Sequence, residues 1–321
     1  MYNIPRVSDG TIINLPIGQV DSVRVQVDTW LTSEDFGFDL GRITDLSDIG
    51  DDIWLTDAVK GRVYKIEAES KSISRLFTAG RGPREVVNPA NIIASSDTSA
   101  YVLDTSERAL IHFTSSGQEL GRKYIDRMIP EFFHSKLSHF KDNTFLFHLN
   151  SASDHLIGVV DTTGNIVSEM VPRLIPVGYQ PVMHNRATFD YDKESDLLAY
   201  AYRGIPAVIL EHDGDLTTLF FEPFVPLDEI NADLSLRPMS ENVSVNIIIR
   251  NVFFYQTNLY VHYNGNLLVY DIDAGQLLKK YTFVDEAGDE IGIHHMLISN
   301  DNLYLMNSFR QNIYKLPVSS L

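Results

Sequence analysis

Short apolar segments recur along the whole chain and predict an all-β protein. Each segment is rich in aliphatic and aromatic residues and is bounded by Asp, Asn, Ser or Gly, as β-strands commonly are. The clearest of them comprise residues 51–57, 99–105, 144–150, 197–203, 258–264 and 302–308. A second apolar segment precedes most of these, with a weaker copy near residues 137–142, and a third segment follows each of them. The same group of strands is therefore repeated along the chain.

A polar turn with one glycine ends most of these groups and leads into a fourth strand. The turn glycines are Gly117, Gly164, Gly214 and Gly275, which lie 47, 50 and 61 residues apart. The first group has residues 67–72 in place of the glycine turn, and the last group stops after its third strand. Short antiparallel strands repeated at about this period are typical of a β-propeller.

The sequence therefore predicts a single domain over residues 1–321, an all-β six-bladed β-propeller with four antiparallel strands per blade. The incomplete last blade would leave an unpaired strand edge. Residues 22–29 alternate between apolar and polar side chains, which indicates a strand, and we expect this strand to pair with the last blade and close the ring. Residues 222–249 fall outside the repeat and predict a long inter-blade insertion.

The composition limits the partners of the protein. The formal net charge is −17, and the sequence contains no Cys. The acidity argues against nucleic acid as a partner, because phosphate binding needs clustered Lys and Arg. The lack of Cys excludes disulfides and thiolate metal ligands, and no apolar segment is long enough to span a membrane. We therefore expect the partner to be a small molecule or another protein.

Residues 79–120 contain a characteristic series of positions: Gly82, Pro83, Glu85, Pro89, Asp104, Arg108 and Phe113. This series resembles an NHL repeat, a sequence unit of six-bladed propellers, although Arg84 and Val86 replace the usual Gly and Phe. We expect Asp104, and Asp57 in the preceding blade, to end a strand and accept hydrogen bonds from N–H groups of the following turn. Their expected role is structural.

The layout of the whole chain is similar to that of six-bladed propellers from bacterial cell envelopes. This resemblance implies a periplasmic or cell-surface location, with a cytoplasmic location as the alternative. The first residues, MYNIPRVSDG, lack the basic start and apolar stretch of a signal peptide. If the protein is exported, we expect its leader to be absent from this sequence.

Catalytic motifs do not stand out in the sequence. It contains no phosphate-binding glycine loop, no Gly-x-Ser-x-Gly elbow and no His-Glu-x-x-His pair. We therefore predict no catalytic residue, no cofactor and no metal. The carboxylates of residues 45–52 do not have the spacing of an EF-hand; we interpret Asp45, Asp48, Asp51 and Asp52 as a solvated acidic turn.

In a propeller, the innermost strand of each blade lines the central channel. Cationic residues occur just before this strand, or at its start, in most of the predicted blades. They are Arg42, Arg84, Lys136, His139, His184, Arg186, Arg250 and His294. This clustering is unexpected in so acidic a chain and predicts an axial pocket for an anionic or hydroxyl-rich ligand, because guanidinium groups match carboxylates. The alternative is that these groups pair with Asp and Glu of neighbouring blades.

Three functions remain open at this stage. The first is a non-catalytic protein that binds a ligand or a partner protein. The second is a metal-dependent enzyme of the propeller lactonase or lyase type, for which His184, Asn185 and His294 offer ligands or an acid/base pair. The third is a structural protein of an envelope assembly that uses the insertion as its contact. The lack of a catalytic motif favours the first.

Overall fold

The computed structural model describes residues 9–37, 40–126, 136–150, 152–174, 179–180, 186–222, 237–238, 247–307 and 312–321. These residues consist mainly of β-strands and turns. The helices among them are single 3-10 turns, at Ile17–Gln19, Ser33–Phe36, Lys141–Asn143 and Val318–Ser320. No helix within these ranges is long and apolar enough to cross a membrane.

Three short strands precede the repeating part of the fold. They are β1 (Thr11–Pro16), β2 (Ser22–Gln26) and β3 (Asp28–Leu31). The first blade follows, with four antiparallel strands and a two-residue strand at its edge. Its strands are β4 (Ile43–Ile49), β5 (Asp52–Asp57), β6 (Arg62–Glu67), β7 (Ile73–Ala79) and β8 (Glu85–Val86).

The second and third blades have four strands each. Those of the second are β9 (Pro89–Ser96), β10 (Ser99–Asp104), β11 (Ala109–Thr114) and β12 (Glu119–Tyr124). Those of the third are β13 (Leu137–His139), β14 (Phe145–His148), β15 (His155–Val160) and β16 (Ile166–Pro172). A two-residue strand, β17 (Tyr179–Gln180), comes after them.

The remaining blades repeat the same plan. The fourth contains β18 (Ala187–Asp192), β19 (Leu197–Tyr202), β20 (Ala207–His212) and β21 (Asp215–Glu222). After β22 (Arg237–Pro238), the fifth contains β23 (Ile249–Tyr255), β24 (Asn258–Tyr263), β25 (Asn266–Asp271) and β26 (Gln276–Val284). The sixth contains β27 (His295–Ser299), β28 (Asn302–Asn307) and β29 (Asn312–Pro317).

Within each blade, strands that are consecutive in sequence are neighbours in the sheet. The described residues form six such blades, which is the arrangement of a six-bladed β-propeller. The predicted fold class is therefore confirmed. Alternate residues of each strand point to opposite faces, so a sheet with apolar residues on both faces needs cover on both sides. Within each unit of the chain, neighbouring blades supply such cover.

The N-terminal region completes the last blade, as predicted, but with a shorter strand than expected. β3 pairs antiparallel with β29, so that Leu31 lies opposite Ile313 and Asp28 opposite Lys315. β2 lies instead at the edge of the fifth blade, next to β26. The predicted strand over residues 22–29 therefore divides at Val27, which is only 1% exposed.

The chain divides into two compact units. The first takes the described residues within 1–25, 151–157 and 169–283, and the second takes those within 26–150, 158–168 and 284–321. In the first unit, Val208 and Phe221 of blade four pack with Val261 of blade five. In the second, Trp54 of blade one packs with Phe113 of blade two. The single domain predicted from the sequence stays a prediction.

Glycine is required at the recurring turn for a conformational reason. Gly164 has φ of +90°, and a Cβ at this position would lie 2.7 Å from the carbonyl oxygen of Tyr124. Residues other than glycine rarely adopt this backbone conformation, and the carbonyl oxygen of Tyr124 leaves no room for a Cβ atom. The other three turn glycines, Gly117, Gly214 and Gly275, have positive φ as well. The repeating glycine therefore marks the same turn in successive blades.

Only part of the predicted insertion over residues 222–249 lies within the described residues. β21 extends to Glu222 and β23 begins at Ile249. Between them, β22 pairs antiparallel with β17, with Tyr179 opposite Pro238. The insertion thus contributes one strand of a short two-stranded sheet in addition to the blades.

Candidate functional site

Three arginines lie at one end of blades four and five. Arg186 directly precedes β18 and Arg203 directly follows β19, its antiparallel neighbour. The N–H of Arg203 donates a 2.8 Å hydrogen bond to the carbonyl of Arg186. The carbonyl of Arg203 accepts hydrogen bonds from the N–H groups of Ile248 and Ile249, at 2.8 and 3.1 Å. These contacts hold the start of β23, and with it Arg250, beside the other two arginines.

Arg250 lies in a β-bulge. On β24, Tyr263 is the partner of Ile249 and His262 is the partner of Asn251, so Arg250 is an extra residue between two paired positions. A bulge re-aims the side chain that it contains, and bulges are frequent next to functional sites. The local backbone therefore sets this arginine apart from the regular residues of its strand.

The charges of Arg186 and Arg250 act on Arg203. Arg186, Arg203 and Arg250 are each partly buried, and we call them the arginine cluster. The pKa of Arg203 is lowered to about 10, first because of burial and then because of the positive charges of Arg186 and Arg250. Burial also lowers the pKa of Arg250. Like charges in a partly dehydrated site raise the free energy of the folded chain.

Arg122 of blade two shows the opposite electrostatic situation. Burial acts to lower its pKa, but the hydrogen bond and the charge of Glu119 outweigh burial and raise it. Nη2 of Arg122 lies 3.2 Å from Oε2 of Glu119. An arginine held by a neighbouring carboxylate thus has a raised pKa, whereas burial and the charges of two further arginines lower the pKa of Arg203.

Two of the predicted site residues in the second unit lie at the start of inner strands, as expected. Arg42 precedes β4, and its N–H donates a 2.9 Å hydrogen bond to Oδ1 of Asp57. Lys136 precedes β13, and its N–H donates to Nδ1 of His148 at 3.2 Å. Burial lowers the pKa of Arg42, and the charge of Lys136 acts on Asp45. The ligand-binding roles of both remain predictions.

The two predicted histidines within the described residues are engaged in contacts between strands. Nε2 of His139 lies 2.6 Å from the carbonyl oxygen of Ala94 on β9, the inner strand of the preceding blade. The N–H of His294 donates a 2.8 Å hydrogen bond to the carbonyl of Met306 on β28. The ring of His139 therefore joins blades two and three.

Arg84 lies apart from the other cations of its unit. It has φ of +61° in the turn between β7 and β8 and is exposed. Its Nη2 is next to Gly117, 3.4 Å from the position that a Cβ there would take. Gly117 is in the β11–β12 turn, which is at the opposite end of blade two from Pro89, where β9 begins. His184 lies outside the described residues.

The prediction of a solvated acidic turn is wrong for Asp45. This residue is partly buried on β4, and its Oδ2 accepts hydrogen bonds from the N–H of Ile92 at 3.0 Å and from Nδ2 of Asn91 at 3.3 Å. Burial raises the pKa of Asp45 to about 6, against the opposing effects of these hydrogen bonds and of Lys136. Its side chain joins the inner strands of blades one and two.

Arg203 is the residue of the cluster that sequence reasoning missed. It is the last residue of the predicted strand 197–203, whereas the predicted site residues lie at strand starts. In an antiparallel pair, the end of one strand lies beside the start of its neighbour. Applying this rule to β18 and β19 would have placed Arg203 beside Arg186.

Comparison with known proteins supports the propeller fold. The family model DUF5128, described as a 6-bladed beta-propeller, matches residues 31–205. This range begins at the end of β3 and extends beyond β19, so it includes the whole of the first three blades. No curated protein matches the chain.

Solved structures resemble the chain along most of its length. A Bacteroides fragilis protein whose name suggests export has 10% identity and a TM-score of 0.58, with coverage of 92% of this chain and 99% of the other. A Bacteroides vulgatus protein of the DUF4221 family has 12% identity, a TM-score of 0.58 and coverage of 93% and 97%. A Xanthomonas campestris gluconolactonase has 13% identity, a TM-score of 0.51 and coverage of 87% and 86%. Likeness at these identities shows the fold alone.

Proposed function

The chain belongs to the DUF5128 family of six-bladed β-propellers, and we propose that it is a non-catalytic protein that binds an anionic ligand. The ligand would bind at the arginine cluster. The observation that carries the proposal is the convergence of three partly buried guanidinium-bearing residues, Arg186, Arg203 and Arg250, at one end of blades four and five.

The charge balance of the chain supports this proposal. The sequence has 26 Lys and Arg residues and 43 Asp and Glu residues, so a group of three neighbouring arginines is unexpected in this acidic chain. Burial disfavours the charged form of Arg203 and Arg250, and the charges of Arg186 and Arg250 further disfavour that of Arg203. An anion between them would replace repulsion with attraction, and the free energy gained would appear as affinity.

The chemistry of guanidinium groups indicates the class of ligand. Their planar donor fork matches a carboxylate through two parallel hydrogen bonds. The chain contains this arrangement already, because Nε and Nη2 of Arg122 both donate to the carboxylate of Glu119, at 3.3 and 3.2 Å. We therefore propose an organic acid with hydroxyl or further carboxylate groups, such as a sugar acid.

A metal-dependent lactonase is not favoured by this arrangement. The chain is 13% identical to the gluconolactonase, and similarity at this level shows the fold and not the activity. A divalent cation beside the arginine cluster would meet three positive side chains, and the repulsion at short distance is costly. Of the residues that such an enzyme would use, His184 and Asn185 lie outside the described residues.

The proposal extends to the cell envelope as the place of action. Its support is the resemblance to a bacterial protein whose name suggests export. Fractionation of the native organism, followed by immunodetection of the chain, tests this location. Recovery in the envelope or periplasmic fraction is expected, and recovery with a cytosolic marker protein would contradict it.

The binding proposal is tested with citrate and glucuronate as probes. Calorimetric titration and thermal unfolding are compared for the wild-type chain, for the double variant Arg186→Gln/Arg250→Gln and for the control Arg24→Gln. Arg24 is an exposed arginine on β2 in the same unit. All samples have equal ionic strength set with NaCl, because screening alone changes the stability of charged sites.

We expect at least one acid to bind the wild-type chain and the control equally, and to bind the double variant about tenfold or more weakly. Circular dichroism of the unliganded variants verifies that they are folded. Equal affinity in the double variant, or no binding by any chain, would overturn the proposal.

A further inference from the structure

A second group of polar side chains lies at the end of blade four that is remote from the arginine cluster. It consists of Asp196, in the turn between β18 and β19, and His212 and Asp213, at the turn between β20 and β21. One ligand atom from each of the three lies within 4.8 Å of those of the other two. Nε2 of His212 is 3.9 Å from Oδ2 of Asp213.

The strand register brings these residues together. Leu198 on β19 pairs with Glu211 on β20. Asp196, two positions before Leu198, therefore lies beside His212 and Asp213, which follow Glu211. The hydroxyl of Tyr191 donates a 2.7 Å hydrogen bond to Oδ1 of Asp196. This contact fixes the orientation of the carboxylate, which is the role that outer hydrogen bonds have around metal ligands.

We infer that Asp196, His212 and Asp213 bind a divalent transition-metal ion of the zinc class. Ligands of a tetrahedral zinc ion lie about 2.0–2.2 Å from the metal and therefore roughly 3.4 Å from one another. The three ligand atoms lie within 4.8 Å of one another, and because His212 and Asp213 are exposed, small rotations of their side chains would close the remaining distance. An imidazole nitrogen suits zinc and its neighbours, whereas calcium and magnesium prefer oxygen ligands alone. The two carboxylates balance the charge of the ion.

The ligand set also defines the kind of site. Three protein ligands leave at least one coordination position of a tetrahedral ion for water or for another molecule. His212 and Asp213 are exposed, so this position is accessible from solvent. We therefore expect an exchangeable surface ion rather than a structural ion on which folding depends.

This site is independent of the proposed anion site. The arginine cluster lies where β18 begins and β19 ends, and the metal ligands lie beyond the other ends of the same sheet. The strands between them have six residues, and a strand rises about 3.4 Å per residue, so the two sites are roughly 20 Å apart. Failure of either proposal leaves the other in place.

The test uses the full chain without an affinity tag, stripped of metal and titrated with zinc chloride in a calorimeter. The variants are His212→Gln and Asp213→Asn. Asn is chosen because Asp213 has φ of +49°, and Asn tolerates this conformation while removing the charge. The matched control is Asp215→Asn, an exposed carboxylate beside the same turn that is not one of the three ligands.

We expect the wild-type chain and the control to bind zinc at one common site, and each ligand variant to bind it about tenfold or more weakly, with unchanged stability in the absence of metal. Zinc binding of wild-type strength in either ligand variant would overturn the inference. A parallel titration with calcium chloride should show weaker binding. Tighter binding of calcium than of zinc, unaffected by His212→Gln, would also overturn it.

Discussion

The N–H of Phe254 on β23 donates a 2.9 Å hydrogen bond to Oδ2 of Asp190 on β18. This bond joins the inner strands of blades four and five through a side chain rather than through the backbone. The same relationship recurs between blades one and two, where Oδ2 of Asp45 accepts from the N–H of Ile92 at 3.0 Å. An inner-strand carboxylate thus connects two pairs of consecutive blades.

We expect Asp190→Ala to lower the free energy of unfolding by about 1–3 kcal/mol, because the N–H of Phe254 would lose its acceptor in a partly buried place. Asp190→Asn should have a smaller effect, since its amide oxygen can still accept the bond. Urea unfolding followed by fluorescence measures both. Asp273→Ala, at an exposed turn position of the same unit, is the control. An effect of Asp190→Ala no larger than that of the control would contradict the prediction.

A second prediction concerns the pH dependence of stability and follows from the pKa of Asp45, which is raised to about 6. Its ordinary value is 3.8, so the carboxyl binds its proton more tightly in the folded chain than in the unfolded chain. Stability from this group is therefore fully present below about pH 4 and is lost as the pH rises through about 6. Over that range the loss should be about 1–2 kcal/mol, after allowance for solvent screening at a partly exposed group.

The variant Asp45→Asn isolates this effect. A single oxygen of Asp45 accepts both hydrogen bonds, and the amide oxygen of Asn can do the same without titrating. Unfolding free energies measured by urea at pH 4, 5, 6 and 7 should fall less steeply, or rise more steeply, in the variant than in the wild type. Parallel pH profiles of the two chains would show that Asp45 does not titrate in this way.

The arginine cluster predicts a variant that gains stability. At neutral pH all three arginines carry charge, and a base whose pKa is lowered on folding destabilises the folded state at every pH below that pKa. Replacing Arg250 by Gln removes one source of repulsion on Arg203. We expect Arg250→Gln to raise the free energy of unfolding by about 1 kcal/mol at low ionic strength.

The salt dependence of the gain in stability shows whether electrostatic repulsion or packing causes it. Added NaCl screens charges, so the advantage of Arg250→Gln over the wild type should shrink as the salt concentration rises. Thermal unfolding in low and high salt, without organic acids, measures the difference. Arg24→Gln is expected to change little in either condition. A destabilised Arg250→Gln, or a gain independent of salt, would contradict electrostatic repulsion in the cluster.

The fold was predictable because its signals are local. Each blade repeats short apolar strands and a turn that needs glycine, and Gly164 shows why the turn keeps this residue. The closing strand was predicted for a similar reason, since its alternation is visible in the sequence. Its division at Val27 was not, because the pairing of β2 with one blade and β3 with another depends on partners far away in the chain.

The candidate site was predictable only in part. Arg186 and Arg250 could be selected because strand starts can be located from the pattern. Arg203 lies beside Arg186 through the regular pairing of β18 and β19, a relationship between strands that a search of strand starts leaves out. The contacts of Asp45 depend on the register, which a bulge between Ile43 and Asp45 shifts. Such irregularities depend on packing between blades, so periodicity alone does not predict them.

Asp104 provides the last prediction, and its position was expected from the sequence. It is fully buried at the end of β10. Its Oδ1 accepts hydrogen bonds from the N–H groups of Asn88, Ser106 and Glu107, at 3.3, 3.1 and 3.0 Å. Its Oδ2 accepts a fourth from the N–H of Val87 at 2.6 Å. One carboxylate therefore accepts hydrogen bonds from backbone N–H groups of the segment before β9 and of the turn after β10.

We expect Asp104→Ala to lower the free energy of unfolding by about 3–5 kcal/mol, because it leaves several backbone N–H groups without an acceptor. Asp104→Asn should cost less, since its amide oxygen can keep the three bonds of Oδ1 while its NH2 group faces the N–H of Val87. Urea unfolding measures both, with the exposed Asp97→Asn as the control. Equal losses for the Ala and Asn variants would show that the three bonds to Oδ1 contribute little, and that the bond from Val87 dominates.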